Sequence, residues 1–176
     1  MNIRTATIED VEAIALLHAE SWRTTYRGLF KEEFLDQHVF QDRKDAWHQR
    51  FTKPQENQIV LVAEQNQELC GFACAFGNED HRWGTLLDNL HVCNTRKRQG
   101  IGKHLLIEIA RWSNQRYPDI GLHLAVLESN VPARRFYETL GATNQEARLW
   151  EPPGGGVVKE FIYVWHNFDS LLSGQV

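Results

Sequence analysis

The sequence has few cysteines and no long apolar run, and each absence excludes a class of protein. Three of the 176 residues are cysteines, none spaced as Cys-x-x-Cys, so neither a disulfide framework nor a zinc site is expected, and the thiols indicate a reducing compartment. No apolar run approaches the roughly 18 residues of a membrane span. The first residues also lack the apolar core of a signal peptide. We therefore expect a cytoplasmic protein.

An excess of charge of one sign is also missing. The sequence has 19 Lys and Arg against 23 Asp and Glu, a formal net charge of −4. This balance gives no overall attraction to nucleic acid or to acidic membranes, so neither is expected as a partner. With 42% hydrophobic and 24% charged residues, the composition is that of an ordinary globular protein. The length suits one domain, which we place at residues 1–176.

Apolar periodicity predicts a mixture of strands and helices. A strand at 2–7 precedes a helix that begins with the Thr7 and Asp10 capping signature and runs to Tyr26. Further strands are predicted at 58–64, 69–76, 85–93, 120–127, 143–151 and 157–166, and further helices at 31–37, 41–51, 101–116 and 132–140. Antiparallel strands come first and a strand–helix–strand crossover follows. This order predicts an α/β (α+β) fold, with a mixed, mostly antiparallel sheet of about seven strands flanked by helices.

A basic, glycine-containing loop follows the strand at 85–93 and indicates an anion site. Three consecutive cations at 96–98 precede Gly100 and Gly102, which open the next helix. A helix N-terminus offers unpaired N–H groups, and glycine lets a phosphate approach them closely. A solvated basic loop is the alternative. Neither known phosphate loop fits, because Leu105 occupies the third glycine position of GxGxxG and no GxxxxGK[ST] is present.

Two blocks resemble motifs A and B of the GNAT N-acetyltransferase superfamily. LDNLHVCNTRKRQGIGKHLL (87–106) resembles V-x-P-x-x-[RQ]-x-x-G-x-[GA], with Asn94 in place of proline and Lys97 in place of Arg or Gln. LAVLESNVPARRFYETLGA (124–142) resembles N-x-x-A-x-x-[FL]-Y-x-x-x-G-[FA]. The likeness extends over about residues 2–166. It implies a GNAT-like single domain in which a splayed pair of parallel strands binds the cofactor.

The resemblance implies acetyl-CoA as co-substrate, with no metal. Its pyrophosphate would lie on the backbone of the basic loop, and its pantetheine arm would pair with the strand before that loop. Asn130 would contact the arm, and Tyr137 would point at the sulfur. The residues assigned to the cofactor in this way are Leu90, His91, Val92, Lys97, Arg98, Gln99, Gly100, Ile101, Gly102, Lys103 and Asn130.

Acetyl transfer to an amine needs a proton acceptor and a proton donor. An alkylammonium has a pKa of about 10.4 and the leaving thiol about 8.5, so a carboxylate takes the first proton and a phenol can supply the second. Tyr137 is the predicted general acid, with aromatic packing as the alternative. Asp88 is the predicted base or substrate ligand, because residues 88, 90 and 92 share one face of a regular strand. Glu128 is the second candidate for the base. The backbone N–H of Val92 is expected to polarise the carbonyl.

The resemblance places the acceptor between the first helices and the last hairpin. The residues expected there are Glu20, Trp22, Tyr26, Phe30, Trp150 and the PPGGG loop at 152–156. Aromatic rings and an acid suit a cationic amine, whereas packing in the core or in a homodimer is the alternative for each ring. A small-molecule primary amine is favoured over a protein amine, because no long charged groove is indicated. We expect direct transfer in a ternary complex, and a non-catalytic acyl-CoA-binding or regulatory module is the alternative.

Overall fold

The structure is a computed structural model that describes residues 1–152 and 155–173. Its strands are β1 (Asn2–Thr5), β2 (Gln58–Gln65), β3 (Glu68–Asp80), β4 (Gly84–Val92), β5 (Leu122–Leu127), β6 (Thr143–Trp150) and β7 (Val158–Trp165). Its α-helices are α1 (Val11–Thr25), α2 (Val39–Thr52), α3 (Ile101–Arg116), α4 (Val131–Thr139) and α5 (Asp169–Leu172). Single turns of 3-10 or π helix lie at Ile8–Asp10, Phe34–His38 and Asn94–Arg96.

The described strands form one seven-stranded sheet in the order β1-β2-β3-β4-β5-β7-β6. Neighbouring strands are antiparallel except β4 and β5, which are parallel. A parallel pair needs a long crossover, and α3 supplies it between these two strands. The predicted mixed, mostly antiparallel sheet flanked by helices is confirmed.

β4 and β5 pair only near their first residues. Thr85 lies opposite Leu122 and Leu86 opposite His123, and the ladder stops there. Beyond Leu86, β4 keeps its antiparallel pairing with β3, whereas β5 pairs with β7. The outer halves of the two parallel strands therefore diverge, and the splayed pair that the sequence predicted is confirmed.

A β-bulge interrupts β4 at Asp88. On β3, Ala75 lies opposite Leu87 and Cys74 opposite Asn89, so Asp88 is an extra residue on β4. A bulge of this kind reverses the alternation of side chains between the two faces of a strand. The regular alternation that the sequence predicted therefore fails at Asp88.

The two faces of the sheet carry different helices and separate cores. On one face α3, α4 and α5 cover a core that includes Leu87, with Leu90 and Val92 packed against it. On the other face α1 and α2 cover a core around Trp47 and Phe72. This arrangement buries both faces of the central strands, which explains why β2 and β3 read as nearly continuous apolar runs.

The helix predictions hold best where a cap or a strong period is present. The N–H of Thr7 donates to Asp10 Oδ2 at 2.7 Å, as the capping signature predicted. The two helices predicted at 31–37 and 41–51 are instead a π turn at Phe34–His38 that runs directly into α2. Helix α5 was not predicted. Within the described ranges, no helix is long and apolar enough to cross a membrane.

Candidate active site

The outer half of β4 presents unpaired backbone groups to the gap between β4 and β5. The N–H of Cys93 donates to the carbonyl of Cys70 at 2.9 Å, toward β3. Because successive residues of a strand point their N–H and C=O groups in opposite directions, those of Val92 and Leu90 point away from β3 into the gap. These groups form a strand edge that an extended, amide-containing molecule can pair with.

The loop before α3 places further free N–H groups beside this edge. Gly100 precedes the helix with φ +82° and Arg98 has φ +65°, so the chain turns sharply here. The N–H groups of Ile101, Gly102 and Lys103 are the first of α3. They have no acceptor within the helix, because a helical N–H bonds to a carbonyl four residues earlier. These N–H groups lie in the same loop and helix start as the exposed side chains of Lys97 and Arg98, for which the sequence predicts a pyrophosphate site.

Gly102 lies where the start of α3 packs against β4 and α4. A Cβ on Gly102 would lie 3.6 Å from Val92 Cγ2 and 3.6 Å from Phe136 Cζ. This spacing is ordinary contact for one methyl group but leaves no room for a branched side chain. The absence of a side chain at 102 therefore keeps the gap open. Asn130 lies nearby as the N-cap of α4, where its Oδ1 accepts the N–H of Ala133 at 3.3 Å.

Tyr137 projects from α4 into the core beside the gap. Its side chain is 8% exposed, and its ring makes an edge contact with Trp165 at 6.0 Å between centroids. Burial raises the pKa of Tyr137 far above its usual range, and an electrostatic interaction with Tyr26 raises it further. Within residues 1–152 and 155–173, its hydroxyl has no hydrogen-bond partner. The structure therefore holds a neutral phenol with a proton to donate.

The bulge places Asp88 on the opposite face from Leu90 and Val92. Asp88 Oδ2 lies 2.6 Å from Nη2 of Arg50 on α2. The same guanidinium donates from Nη1 to Asn89 Oδ1 at 2.8 Å. The expectation that residues 88, 90 and 92 share one face is therefore wrong, because the bulge turns Asp88 toward α2. Arg50, which sequence reasoning missed, holds the two bulge side chains in place.

The aromatic residues predicted for the acceptor lie together. Ring centroids of Trp22 lie 5.7 Å from Tyr26, 5.5 Å from Phe30 and 6.4 Å from Trp150. The free face of Trp22 is covered by Arg43, whose Cζ lies 4.2 Å from the ring centroid. The rings therefore pack against one another and fill much of the space inside the aromatic cluster. From the PPGGG loop, Pro153 and Gly154 lie outside the described residues.

Glu20 lies apart from these rings. It faces a narrow crevice at the end of β4, lined also by Leu17, Ser21, Val92, Cys93 and Asn94. Glu128, the second candidate base, pairs through Oε1 with Lys159 Nζ at 2.9 Å, and its side chain is half exposed. Neither carboxylate is brought into the aromatic cluster.

Two buried histidines were assigned no side-chain role from the sequence. Nδ1 of His91 lies 2.8 Å from Ser21 Oγ, and its ring lies 4.5 Å from that of His18. His18 Nδ1 accepts the indole N–H of Trp47 at 3.0 Å. Burial lowers the pKa of His91 to about 3 and that of His18 well below its usual range, so both rings are neutral at neutral pH. The signal for His18 was its place on the buried face of α1, between Ile14 and Trp22.

A buried carboxylate on β7 was also missed. Glu160 is 5% exposed and pairs with Arg148 Nε at 2.5 Å. Burial and the nearby Glu160 raise the pKa of Tyr26 to about 12. The alternating pattern at 158–165 contains one acid, Glu160, among apolar residues. This pattern is only a weak sign of a buried carboxylate. Among the residues with described positions, no group of three His, Cys, Asp or Glu side chains is arranged to hold a metal ion.

We use two names for the sides of the gap. The cofactor face consists of the strand edge at Leu90 and Val92, the loop at 97–103, and α4 with Tyr137. The acceptor face lies on the side of α1 and α2 and consists of the aromatic cluster, Arg43, Arg50, Asp88 and His91. Tyr137 comes from the cofactor face and Tyr26 from the acceptor face, and an electrostatic interaction with Tyr26 contributes to the raised pKa of Tyr137.

Comparison with known families and proteins gives consistent results. The sequence model of the Acetyltransferase (GNAT) family matches residues 17–142. The chain is 28% identical over 141 residues to an uncharacterized N-acetyltransferase, YuaI, of Bacillus subtilis (strain 168), a match that covers 78% of each protein. The family match spans both faces of the gap.

Solved structures share the fold. The PaiA N-acetyltransferase from Thermoplasma acidophilum, in complex with coenzyme A, superposes with a TM-score of 0.75 at 23% identity, covering 94% of this chain and 98% of that one. The ribosomal-protein-alanine N-acetyltransferase from Brucella melitensis gives a TM-score of 0.71 at 19% identity, covering 94% and 99%. At these identities, the likeness concerns the fold.

Proposed function

Because the chain belongs to the acetyltransferase (GNAT) family, we propose that it transfers the acetyl group of acetyl-CoA directly to a primary amine of a small molecule, within a ternary complex. The observation that carries the proposal is the gap between β4 and β5, which has free backbone groups on one side and charged and aromatic side chains on the other. Such a gap lets a long thioester enter from one face and an amine approach from the other.

The residues of the cofactor face fit coenzyme A. The backbone of Leu90 and Val92 can pair with the two amides of an extended pantetheine arm. The N–H groups of 98–103, with Lys97 and Arg98, can bind the pyrophosphate. When bound, acetyl-CoA supplies an activated acetyl group as a thioester. The N–H of Val92 lies where it can donate to the carbonyl oxygen as negative charge develops there.

Tyr137 is the proposed proton donor to the departing sulfur. Its buried position keeps the phenol protonated, because burial raises the pKa of Tyr137. The same desolvation raises the pKa of a thiolate formed beside it, so proton transfer from the phenol oxygen becomes less unfavourable. The absence of a competing hydrogen-bond acceptor among the described residues leaves the hydroxyl free to donate.

Asp88 is the proposed acceptor of the amine proton. Arg50 contacts Oδ2 of Asp88 at 2.6 Å, and no residue in the described ranges hydrogen-bonds to Oδ1. That oxygen can therefore bind the amine, directly or through a water, and take its proton. The bulge supports this role by a different route from the one predicted, since it turns Asp88 to the acceptor face, from which the amine approaches.

Thermal unfolding with separate ligands tests the proposal first. A ligand at 100 times its Kd stabilises the folded state by about 2.7 kcal/mol, which raises the Tm of a chain of this size by about 5–10 °C. We expect this rise with acetyl-CoA and with CoA, but not with ATP or NAD. Amine-dependent release of the CoA thiol then tests transfer. The absence of a rise with both CoA species, or of thiol release across a broad panel of amines, would contradict the proposal.

A further inference from the structure

The acceptor face carries a cation whose hydrogen-bonding capacity is only partly used, Arg43 on the first turn of α2. Its side chain is 15% exposed, and its guanidinium lies over the ring of Trp22, with Cζ 4.2 Å from the centroid. Its ion-pair partner among the described residues is Asp42, the preceding residue on the same helix, reached through Nε at 2.8 Å and Nη2 at 2.5 Å.

The geometry leaves one edge of this guanidinium open. A guanidinium has two edges that can each bind a carboxylate with two parallel hydrogen bonds. In Arg43 the Nε–Nη2 edge is occupied by Asp42, whereas Nη1 on the other edge has no acceptor within residues 1–152 and 155–173. Stacking on Trp22 fixes the plane of the group and so fixes the direction in which that edge points.

Arg50, the other arginine of α2, is already engaged. It binds Asp88 through Nη2 and Asn89 through Nη1 on the bulge. Nη1 of Arg43, by contrast, has no acceptor among the described residues, so Arg43 is the arginine of α2 that keeps a donor for a charged substrate.

Arg43 belongs to a group of side chains packed beside the outer half of β4. Its guanidinium lies over the ring of Trp22, which lies 5.0 Å from the ring of His18, and the ring of His18 lies 4.5 Å from that of His91. His91 directly precedes Val92, whose N–H faces the gap. Two rings therefore separate the guanidinium of Arg43 from the part of β4 where the acetyl group is proposed to lie.

We propose that the acceptor is an amino carboxylate, and that Arg43 binds its carboxylate while its amine lies at Asp88. This inference rests on the proposed function, because it names the substrate class of the same site. A planar carboxylate matches the open guanidinium edge with two parallel hydrogen bonds. The ring face of Trp22, which the sequence analysis assigned to an ammonium group, is covered by Arg43 and instead orients it.

A ladder of amino carboxylates with matched neutral partners tests the inference. Glycine, β-alanine, 4-aminobutyrate and 5-aminopentanoate are each compared with their own carboxamides, with thiol release as the readout. Both members of a pair carry a primary amine at the same distance, and kcat/KM is expressed per neutral amine, because replacing the carboxylate by a carboxamide also lowers the pKa of a nearby amine. We expect one chain length to be preferred, and its carboxylate to exceed its carboxamide in kcat/KM by about 10–100-fold, as for hydrogen bonds to charged groups.

Variants of Arg43 locate the effect. Arg43→Gln is expected to reduce the carboxylate-to-carboxamide ratio at the preferred length to near one. Arg43→Lys is expected to retain part of it, because it keeps the charge and loses the planar edge. Arg23→Gln is the matched control, since Arg23 is exposed at the end of α1, and it should leave the ratio unchanged. A rise in Tm with CoA shows that each variant folds.

The outcomes separate this inference from the proposed function. Carboxamides acetylated as well as carboxylates, or an unchanged ratio in Arg43→Gln, would overturn the inference and leave the acetyltransferase proposal standing. If no amine causes thiol release, the acetyl-transfer proposal itself is contradicted. The role of Arg43 is then tested by calorimetric titration of the same carboxylate and carboxamide pairs into the CoA complex. Binding of a carboxylate that is lost in Arg43→Gln supports the inference, whereas equal binding of the carboxylate and its carboxamide overturns it.

Discussion

The two faces of the gap present different kinds of group. The cofactor face presents mainly backbone, namely the strand edge at Leu90 and Val92 and the N–H groups of 98–103. The acceptor face presents side chains, with Arg43 on Trp22 and Arg50 on Asp88. A backbone site depends on side chains only where one would block it or a special φ is needed. A side-chain site changes with each substitution. We therefore expect the cofactor face to set the reaction and the acceptor face to set the substrate.

Tyr137→Phe is expected to have the largest effect, because Tyr137 is the proposed proton donor in the transfer itself. Loss of a general acid lowers turnover by about 10²–10⁴-fold, while the affinity for CoA should be unchanged, because phenylalanine keeps the ring contact with Trp165. Steady-state turnover and titration with CoA give the two values. Full turnover in Tyr137→Phe would remove Tyr137 from the mechanism.

Gly102→Val breaks the cofactor face alone. Its branched side chain enters the space between Val92 and Phe136, where the single Cβ of alanine is accommodated at 3.6 Å. Loss of one charge-assisted contact to the pyrophosphate weakens binding of CoA by about 10–100-fold, and Gly102→Ala should bind nearly as the parent. Calorimetric titration with CoA measures both. Equal affinity in the valine variant would contradict the placement of the gap.

Asp88→Asn breaks the acceptor face alone. The amide keeps the shape of the side chain but cannot take a proton, so kcat should fall by about 100-fold while the affinity for CoA is retained. Glu128→Gln is the matched control, because its carboxylate is half exposed and pairs with Lys159. If Glu128→Gln lowered kcat and Asp88→Asn did not, the base would be Glu128, directly after β5, and not the bulge residue Asp88.

His91 on the acceptor face is expected to make the stability of the protein depend on pH. The pKa of His91 is lowered from 6.5 to about 3 by burial, so below pH 6.5 the unfolded state binds a proton that the folded state refuses. The free energy of unfolding should be constant above that pH from this group, and fall by about 1.4 kcal/mol per pH unit as the pH decreases toward 3.

Urea unfolding at several pH values measures this slope. His91→Gln should make the acid limb shallower by that amount, although the variant is less stable throughout. His166→Gln is the control, since His166 is exposed, and it should leave the slope unchanged. An unchanged slope in His91→Gln would show that His91 does not stay neutral in the folded protein.

The two faces also differ in how far the sequence predicts them. The cofactor face comes from two contiguous blocks. Glycines, cations and a helix start at fixed spacing predicted the anion loop, and the resemblance of the two blocks to family motifs implied the strand edge and the role of α4. The acceptor face comes from segments that are distant in sequence. The stacking of Arg43 on Trp22 and the contact of Arg50 with Asp88 depend on how α1 and α2 pack, which no local pattern specifies.

The bulge shows the same limit at one residue. The sequence LLDNLHV contains no glycine or proline to mark an interruption, so regular alternation was the natural prediction for β4. The bulge arises from pairing with β3, where Cys74 and Ala75 take Asn89 and Leu87 as partners. A single extra residue, with no local signal, moved Asp88 from the predicted face to the side of α2, where it contacts Arg50.

Hydrogen exchange of the backbone amides, with and without CoA, tests the central claim most directly. When CoA binds, we expect the backbone amides at 90–92 and at 98–103 to exchange more slowly. We expect no comparable change in α2, where side chains rather than backbone groups face the gap. Protection confined to another region would contradict it, for example the shallow cavity of about 360 Å³ that Ile3, Leu61 and Trp112 line between the first strands and α3. Unchanged exchange at 90–92 under saturating CoA would show that the outer half of β4 does not bind the cofactor.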